Sequence, residues 1–264
     1  MNYQFFYQTI ELFKEFEEVD AIVLGGSRAS GKYDDSSDYD IYVYLNNELS
    51  VEKRKSALMQ TCEYMEIDNR YFETEDDCIL KNGIILEIIY RWFHDISNNH
   101  LSNTLEKHIA RDGYTTCICY NVFNSTILYD PKSVYSEMIK RFTMPYPEPL
   151  RKNIITLNRE LLDGKIPSYL GQIEKAIIRN DILSINHRKT EFIKSYFDIL
   201  FALNRKFHPG EKKMIQLAVD LCEWLPVDFE SDLNHLFIIT ENEKMPIILH
   251  KLITNLDDLI YKYM

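Results

Sequence analysis

The sequence predicts an α+β fold in which a mixed sheet with flanking helices is followed by an all-helical bundle. Three observations predict it. Before residue 144, short runs of β-branched and aromatic residues alternate with helix-like stretches. At 144–149 the chain reads MPYPEP, and three prolines in five residues fit neither a helix interior nor a central strand. From residue 150 onward, apolar residues recur at helical spacing. The predicted domains are residues 1–144 and 150–264.

The elements follow in order. MNYQFFYQTIELFKEFEEVD reads as an amphipathic helix, with Phe5, Phe6, Phe13 and Phe16 available to a core. Ala21 to Leu24 (AIVL) is a short buried strand and Asp40 to Leu45 (DIYVYL) a second. Ser50 caps a helix running through VEKRKSALMQTCEYM. One or two strands are expected between Ile67 and Leu80, another in GIILEIIYRWF (83–93), and a helix around Ser102 to Ala110. A mixed apolar region near 117–128 ends at ILYDP. Helices dominate thereafter, with Gly164 and Pro209-Gly210 as stops.

Bulk properties narrow the function. The net charge of −11, without any basic run, disfavours a long DNA or RNA partner, because such binders need cationic surface to displace phosphate counterions. The same charge would attract a cationic small molecule, and would repel a free nucleotide unless metal cations or a local basic patch intervene. No window approaches the roughly 18 apolar residues of a membrane span. The N-terminal stretch lacks the basic region and cleavage site of a signal peptide. The five cysteines are odd in number, and Cys117-x-Cys119 has no second pair to complete a zinc site. Free thiols and a cytoplasmic location are expected.

The chemistry concentrates in GGSRASGKYDDSSDYD (25–40). Gly26 to Lys32 matches most of a phosphate-gripping P-loop, G-x-x-x-x-G-K-[ST], but that reading fails. Tyr33 stands where a small hydroxyl is needed, the stretch leads into a strand instead of a helix, and no second acidic motif follows. A second pattern uses every feature. A strand ends in two glycines, where missing β-carbons let backbone approach a triphosphate, and Ser27 supplies a hydroxyl. Asp38 and Asp40 follow, two apart, so their side chains leave one face of a strand and offer hard oxygen ligands to magnesium. Glu87, inside the apolar run Ile84 to Ile89, needs either a metal or a buried arginine, Arg28 or Arg91, to offset its charge.

GGSRASG…SSDYDIYVY resembles the signature of the polymerase-β-like nucleotidyltransferase superfamily, with Glu87 matching its third acidic residue. Within it, the stretch looks closest to bacterial small-molecule nucleotidyltransferases such as aminoglycoside and lincosamide adenylyltransferases. The resemblance is strong over about residues 20–45 and extends to residue 130. In the helical half, FALNRKFHPGEK (201–212) resembles a segment of an uncharacterised bacterial branch.

The resemblance implies transfer of a nucleoside monophosphate, by default AMP from ATP, to an acceptor hydroxyl with release of pyrophosphate. Asp38 and Asp40 would hold two magnesium ions. Gly26 and Ser27, with Ser37, would contact the phosphates, and Arg28 would meet either a phosphate or Glu87. Glu87 would ligate metal, accept the hydroxyl's proton, or do both. Lys206, Lys212 and Lys213 are either phosphate contacts or solvated surface lysines. Asp130 either faces the cleft or caps a helix. The run Glu73 to Asp77 reads as a hydrated loop or as an attractor for a cationic acceptor. His94, His187 and His208 each stand alone, so no histidine metal cluster is expected. Two alternatives compete: nucleotidylation of a protein partner, and an inert nucleotide-binding module. Retention of all three carboxylates argues against the second. The acceptor and the oligomeric state are not encoded in any short motif.

Overall fold

The computed structural model describes residues 3–29, 31 and 37–264. The chain divides into two compact units, residues 1–102 with 121–143 and residues 103–120 with 144–264. The division passes through α4 (Cys117–Asn124).

In the first unit, β1 (Val19–Leu24), β2 (Tyr39–Leu45), β3 (Cys62–Asn69), β4 (Thr74–Leu80), β5 (Ile85–Trp92) and β6 (Thr126–Tyr129) form one sheet in the order β3-β4-β5-β2-β1-β6. The β2–β5 pair is parallel and its neighbours are antiparallel, so the sheet is mixed as expected. Helix α1 (Gln4–Lys14) carries Phe6, Ile10 and Phe13 onto one face of this sheet, and α3 (Val51–Leu58) adds Ala57 and Leu58. They pack with Tyr39, Ile41, Val43, Leu86, Ile88 and Cys78, the inward half of a period-two alternation. Phe5 and Phe16 lie at the margin of that core. Ser50 caps α3 by accepting from Lys53 N–H.

The acidic run at 73–77 is largely strand, not a hydrated loop, and it alternates. Asp76 points into the core face, fully buried. It accepts from Arg54 (2.6 Å), Tyr90 Oη (2.6 Å) and the Asp68 N–H (2.8 Å). Those donors satisfy a charge that would otherwise be costly to bury. Glu75 and Asp77 leave the opposite face.

The expected helix at 102–110 is also corrected. The helical stretch runs over Asp95–Glu106 and is wider than an α-helix. It buries Ile96, Leu101 and Leu105, a spacing of five and four residues that a 3.6-residue template does not detect. Asp130 caps α5 (Val134–Phe142), accepting from the N–H groups of Tyr135 (3.2 Å) and Ser136 (2.9 Å).

The second unit is helical: α6 (Glu148–Arg159), α7 (Tyr169–Ile178), α8 (Ile182–Leu203), α9 (Met214–Leu221), α10 (Phe229–Ile238) and α11 (Met245–Tyr263). Asp181 caps α8, the longest of these, by accepting from Ser184 N–H. Its C-terminal half, Phe192 to Leu203, is buried except at Lys194 and supplies the core of the unit. Residues 103–120 belong here by hydrogen bonding, although a cut at the prolines assigns them to the first domain. The Thr115 hydroxyl donates to Asp198 (2.6 Å), and Asn158 Nδ2 donates to the Arg111 carbonyl (2.9 Å). Among the described residues no helix is long and apolar enough to cross a membrane.

Candidate active site

Strand β1 ends at Leu24, and the chain turns through Gly25 into the single helical turn α2 (Gly26–Ala29) before returning along β2. Gly25 N–H donates to the Asp40 carbonyl (2.8 Å), which pins the turn to the start of β2. Gly26 has φ +61°, a conformation that costs glycine little and other residues much. A β-carbon there would lie 1.7 Å from Asp40 Oδ2, so the Asp40 carboxylate packs directly against the Gly26 backbone. Both glycines are therefore demanded by contact: a β-carbon on Gly25 would stand 2.3 Å from the Tyr42 ring.

The parallel pairing of β2 with β5 sets Asp40 directly opposite Glu87. The antiparallel pairing of β5 with β4 sets Glu87 opposite Asp77. Residues opposite one another share a face, so Asp40, Glu87 and Asp77 form one acidic row across three adjacent strands. Asp38 lies one residue before β2 and before the ladder begins, so of the two aspartates expected on the strand only Asp40 stands on it. Asp38, Asp40 and Glu87 are all half-buried. Farther along the same face come aromatic rings and Arg91, which stands opposite Tyr44. Tyr42 and Tyr44 are buried, and Phe93 and Tyr135 pack on Tyr44 with ring centroids 4.8 and 5.0 Å away. Asp40 and Glu87 occupy the half-buried end of the face, nearest Gly26.

The two arginines considered for Glu87 have other tasks. Arg91 grips Glu73 through two hydrogen bonds (2.9 and 2.8 Å), donates to Asn121 (2.7 Å) and lies over the Tyr42 ring. Arg28 is buried. Its Nε donates to the carbonyls of Ser37 (2.9 Å) and Asp38 (3.1 Å), and its Nη2 to Ser37 (2.5 Å). Its guanidinium lies 4.0 Å from the centroid of the Tyr39 ring.

Of the sequence-derived candidates, the structure places Asp40 against Gly26 and in register with Glu87, and Arg28 against the carbonyls of Ser37 and Asp38; Ser27 lies in α2. Lys206, Lys212 and Lys213 lie in the second unit and are exposed there. Lys32 and Tyr33, which bear on the P-loop reading, fall outside the described residues. Asp77 and Glu75 belong to the acidic run already named as a possible attractor for a cationic acceptor, and the structure adds that they share a face of β4. Their signal was the alternation in TEDDCIL, legible only once that stretch is known to be a strand. Burial raises the Glu75 carboxyl above its usual range, and the neighbouring Asp77 and Glu73 charges raise it further.

Among the described residues no group of three or more His, Cys, Asp or Glu side chains is gathered closely enough to hold a metal ion. The donor set nevertheless suits magnesium: hard carboxylate oxygens, two of them in direct register, one seated against a glycine cradle that a β-carbon would fill. His208, by contrast, is a core residue. It is fully buried, donates its N–H to Thr116 Oγ1 (2.8 Å), and accepts at Nδ1 from Gly210 N–H (3.1 Å). Burial pulls its pKa down to about 3.

This geometry coincides with a family match. Residues 7–90 match the family described as polymerase beta, nucleotidyltransferase. The segment is a nucleotidyltransferase domain of the polymerase-β type. Residues 115–214 match a second family, described as a domain of unknown function (DUF4037). Among solved structures, a nucleotidyltransferase-like protein from Exiguobacterium sibiricum is similar at 12% identity and a TM-score of 0.47, over 97% of this chain and 74% of that one. An aminoglycoside 6-adenyltransferase from Bacillus subtilis matches at 12% identity and 0.32, over 97% and 86%. The spectinomycin adenyltransferase AAD(9) from Enterococcus faecialis, solved with ATP and spectinomycin, matches at 12% and 0.31, over 95% and 99%. Among curated proteins none matches.

Proposed function

We propose that the chain transfers a nucleoside monophosphate, AMP from ATP, to a hydroxyl of a small-molecule acceptor and releases pyrophosphate. The observation that carries this reading is the register of Asp40 with Glu87 beside Gly26. It gathers two carboxylates and a β-carbon-free backbone at one end of the sheet.

Asp38 and Asp40 would hold two magnesium ions, with Glu87 contributing to one of them. When bound, magnesium neutralises the triphosphate and the charge that develops during transfer. The chain's own residues supply the rest. Gly26 backbone and the Ser27 hydroxyl receive the triphosphate, with Ser37 alongside, next to the Asp40 carboxylate that fills the space a Gly26 β-carbon would take. Glu87 accepts the proton as the acceptor oxygen bonds to the α-phosphorus and the bond to pyrophosphate breaks. Positioning accounts for most of the remaining acceleration.

The acceptor is read as a small cation. Glu75 and Asp77 continue the acidic row away from the phosphate end, and the net charge of −11 favours a positive partner over a long nucleic acid. Five free cysteines suit a reducing compartment, and the cytoplasm is the proposed location.

Calorimetry with α,β-methylene-ATP, a non-hydrolysable analogue, tests the reading on wild type and Asp38→Ala/Asp40→Ala. Binding that requires magnesium and is lost in the double variant supports it. Metal-independent binding that survives the substitutions, or no binding by wild type, refutes it.

A further inference from the structure

Asp38 stands apart from its two partner carboxylates in how it is held. Asp40 and Glu87 belong to the β2–β5 ladder, whose backbone hydrogen bonds fix their positions. Asp38 precedes the first paired residue, Tyr39, so the ladder does not position its backbone. The Arg28 guanidinium does this instead, donating to the Ser37 and Asp38 carbonyls, which belong to the peptide units on either side of Asp38. A planar guanidinium presents several donors in a fixed fork, so it holds two successive carbonyls at once, which a single ammonium does poorly.

Arg28 is itself anchored. Its guanidinium lies over the Tyr39 ring, and Tyr39 stacks on Phe6 of α1 with centroids 4.0 Å apart and planes 12° from parallel. Phe6 is 2% exposed. An unbroken line of packed groups thus runs from the hydrophobic core through Tyr39 and Arg28 to the Asp38 backbone. At 8% exposure, Arg28 is turned into the protein, whereas a residue that meets a phosphate must present its donors to the open site.

We propose that Arg28 is a positioning residue for Asp38, acting on the metal site through the Ser37 and Asp38 carbonyls, and not a direct phosphate contact. The proposal rests on the nucleotidyltransferase reading above. Residues that orient metal ligands typically influence metal affinity by about 10- to 100-fold when replaced.

The test is a double-mutant cycle on the intact chain, read by calorimetry with α,β-methylene-ATP and magnesium. Arg28→Met keeps an unbranched stem against Tyr39 and removes the donors. It is expected to raise the magnesium concentration for half-saturation by about tenfold. Arg28→Met combined with Asp38→Ala is expected to bind no more weakly than Asp38→Ala alone, because Arg28 then has nothing left to position. Arg28→Lys, which restores one donor, is expected to recover part of the loss. Additive effects in the cycle, as a separate phosphate contact would give, overturn the inference. So does wild-type magnesium dependence in Arg28→Met. If Arg28→Met fails to fold, the cycle is run with Arg28→Lys, and the same additivity criterion decides. A wild type that binds no analogue in magnesium overturns the functional reading itself, an outcome distinct from these.

Discussion

Replacing Gly26 by alanine places a methyl carbon 1.7 Å from Asp40 Oδ2 and 2.6 Å from its Cγ. A carbon and an oxygen approach no closer than about 3.3 Å in comfortable contact, so the carboxylate or the turn must yield by about 1.6 Å. Magnesium demands oxygen ligands near 2.1 Å in almost ideal octahedral geometry, a tolerance far smaller than that displacement. The backbone adds strain, since φ +61° costs an alanine about 1–2 kcal/mol relative to glycine. The expected result is a fall in magnesium-dependent binding of α,β-methylene-ATP by about 100-fold, with a drop in Tm of only a few degrees. Gly31→Ala is the matched control. Gly31 also has positive φ, at +72°, but a β-carbon there meets nothing within 4 Å. It carries the strain without the clash, so binding should hold while Tm falls similarly. Calorimetry and a thermal melt on both variants decide. Near-wild-type binding by Gly26→Ala, or equal loss in Gly31→Ala, refutes the argument that close approach to Asp40 is what this glycine provides.

Two further outcomes are expected. Glu87→Gln should keep analogue binding largely intact but slow pyrophosphate release, with water as acceptor, by about 100-fold or more; unchanged turnover would remove Glu87 as the proton acceptor. Asp198→Asn concerns pH: burial pushes the Asp198 carboxyl up to about 7 from 3.8, so its stabilising contribution is complete below the unfolded value and is lost as pH rises through 7. The variant should therefore gain stability relative to wild type between pH 4 and 7, by about 4 kcal/mol at about 1.36 kcal/mol per unit. Urea melts across that range check it, and a difference independent of pH would refute it. His208 works with the opposite sign. Its pKa is depressed by burial, so its contribution is present above pH 6.5 and fades as pH falls toward 3. The two slopes oppose each other in wild type between about pH 4 and 6.5, and Asp198→Asn should expose the acid sensitivity that His208 confers.

What the sequence determined by itself is what depends on near neighbours. Strands β1, β2 and β5 were legible because runs such as AIVL and DIYVYL favour a pleated, buried surface. The two-residue spacing of Asp38 and Asp40 predicted one side of a strand for the same local reason, though only Asp40 lies in β2. The glycines of GGSR announced a close approach, and Ser50 a helix start. Tertiary structure alone decided the rest, because pairing over long separations follows from packing and register, which no short window contains. Forty-seven positions of chain separate Asp40 from Glu87, and only the parallel ladder makes them opposite neighbours. The strand at 74–80 divided an acidic run into one buried ion-paired aspartate and two residues on the face of the candidate site, where a linear reading left a hydrated loop and an attractor for a cation both open. Arg28 was a cation of open destination until burial turned it toward two carbonyls. Asp198 and His208 acquired shifted pKa values from burial, in a core that brings Thr115 and Thr116, some 80 to 90 residues away, beside them. Local chemistry named the carboxylates of the site; the sheet's register decided which of them stand together.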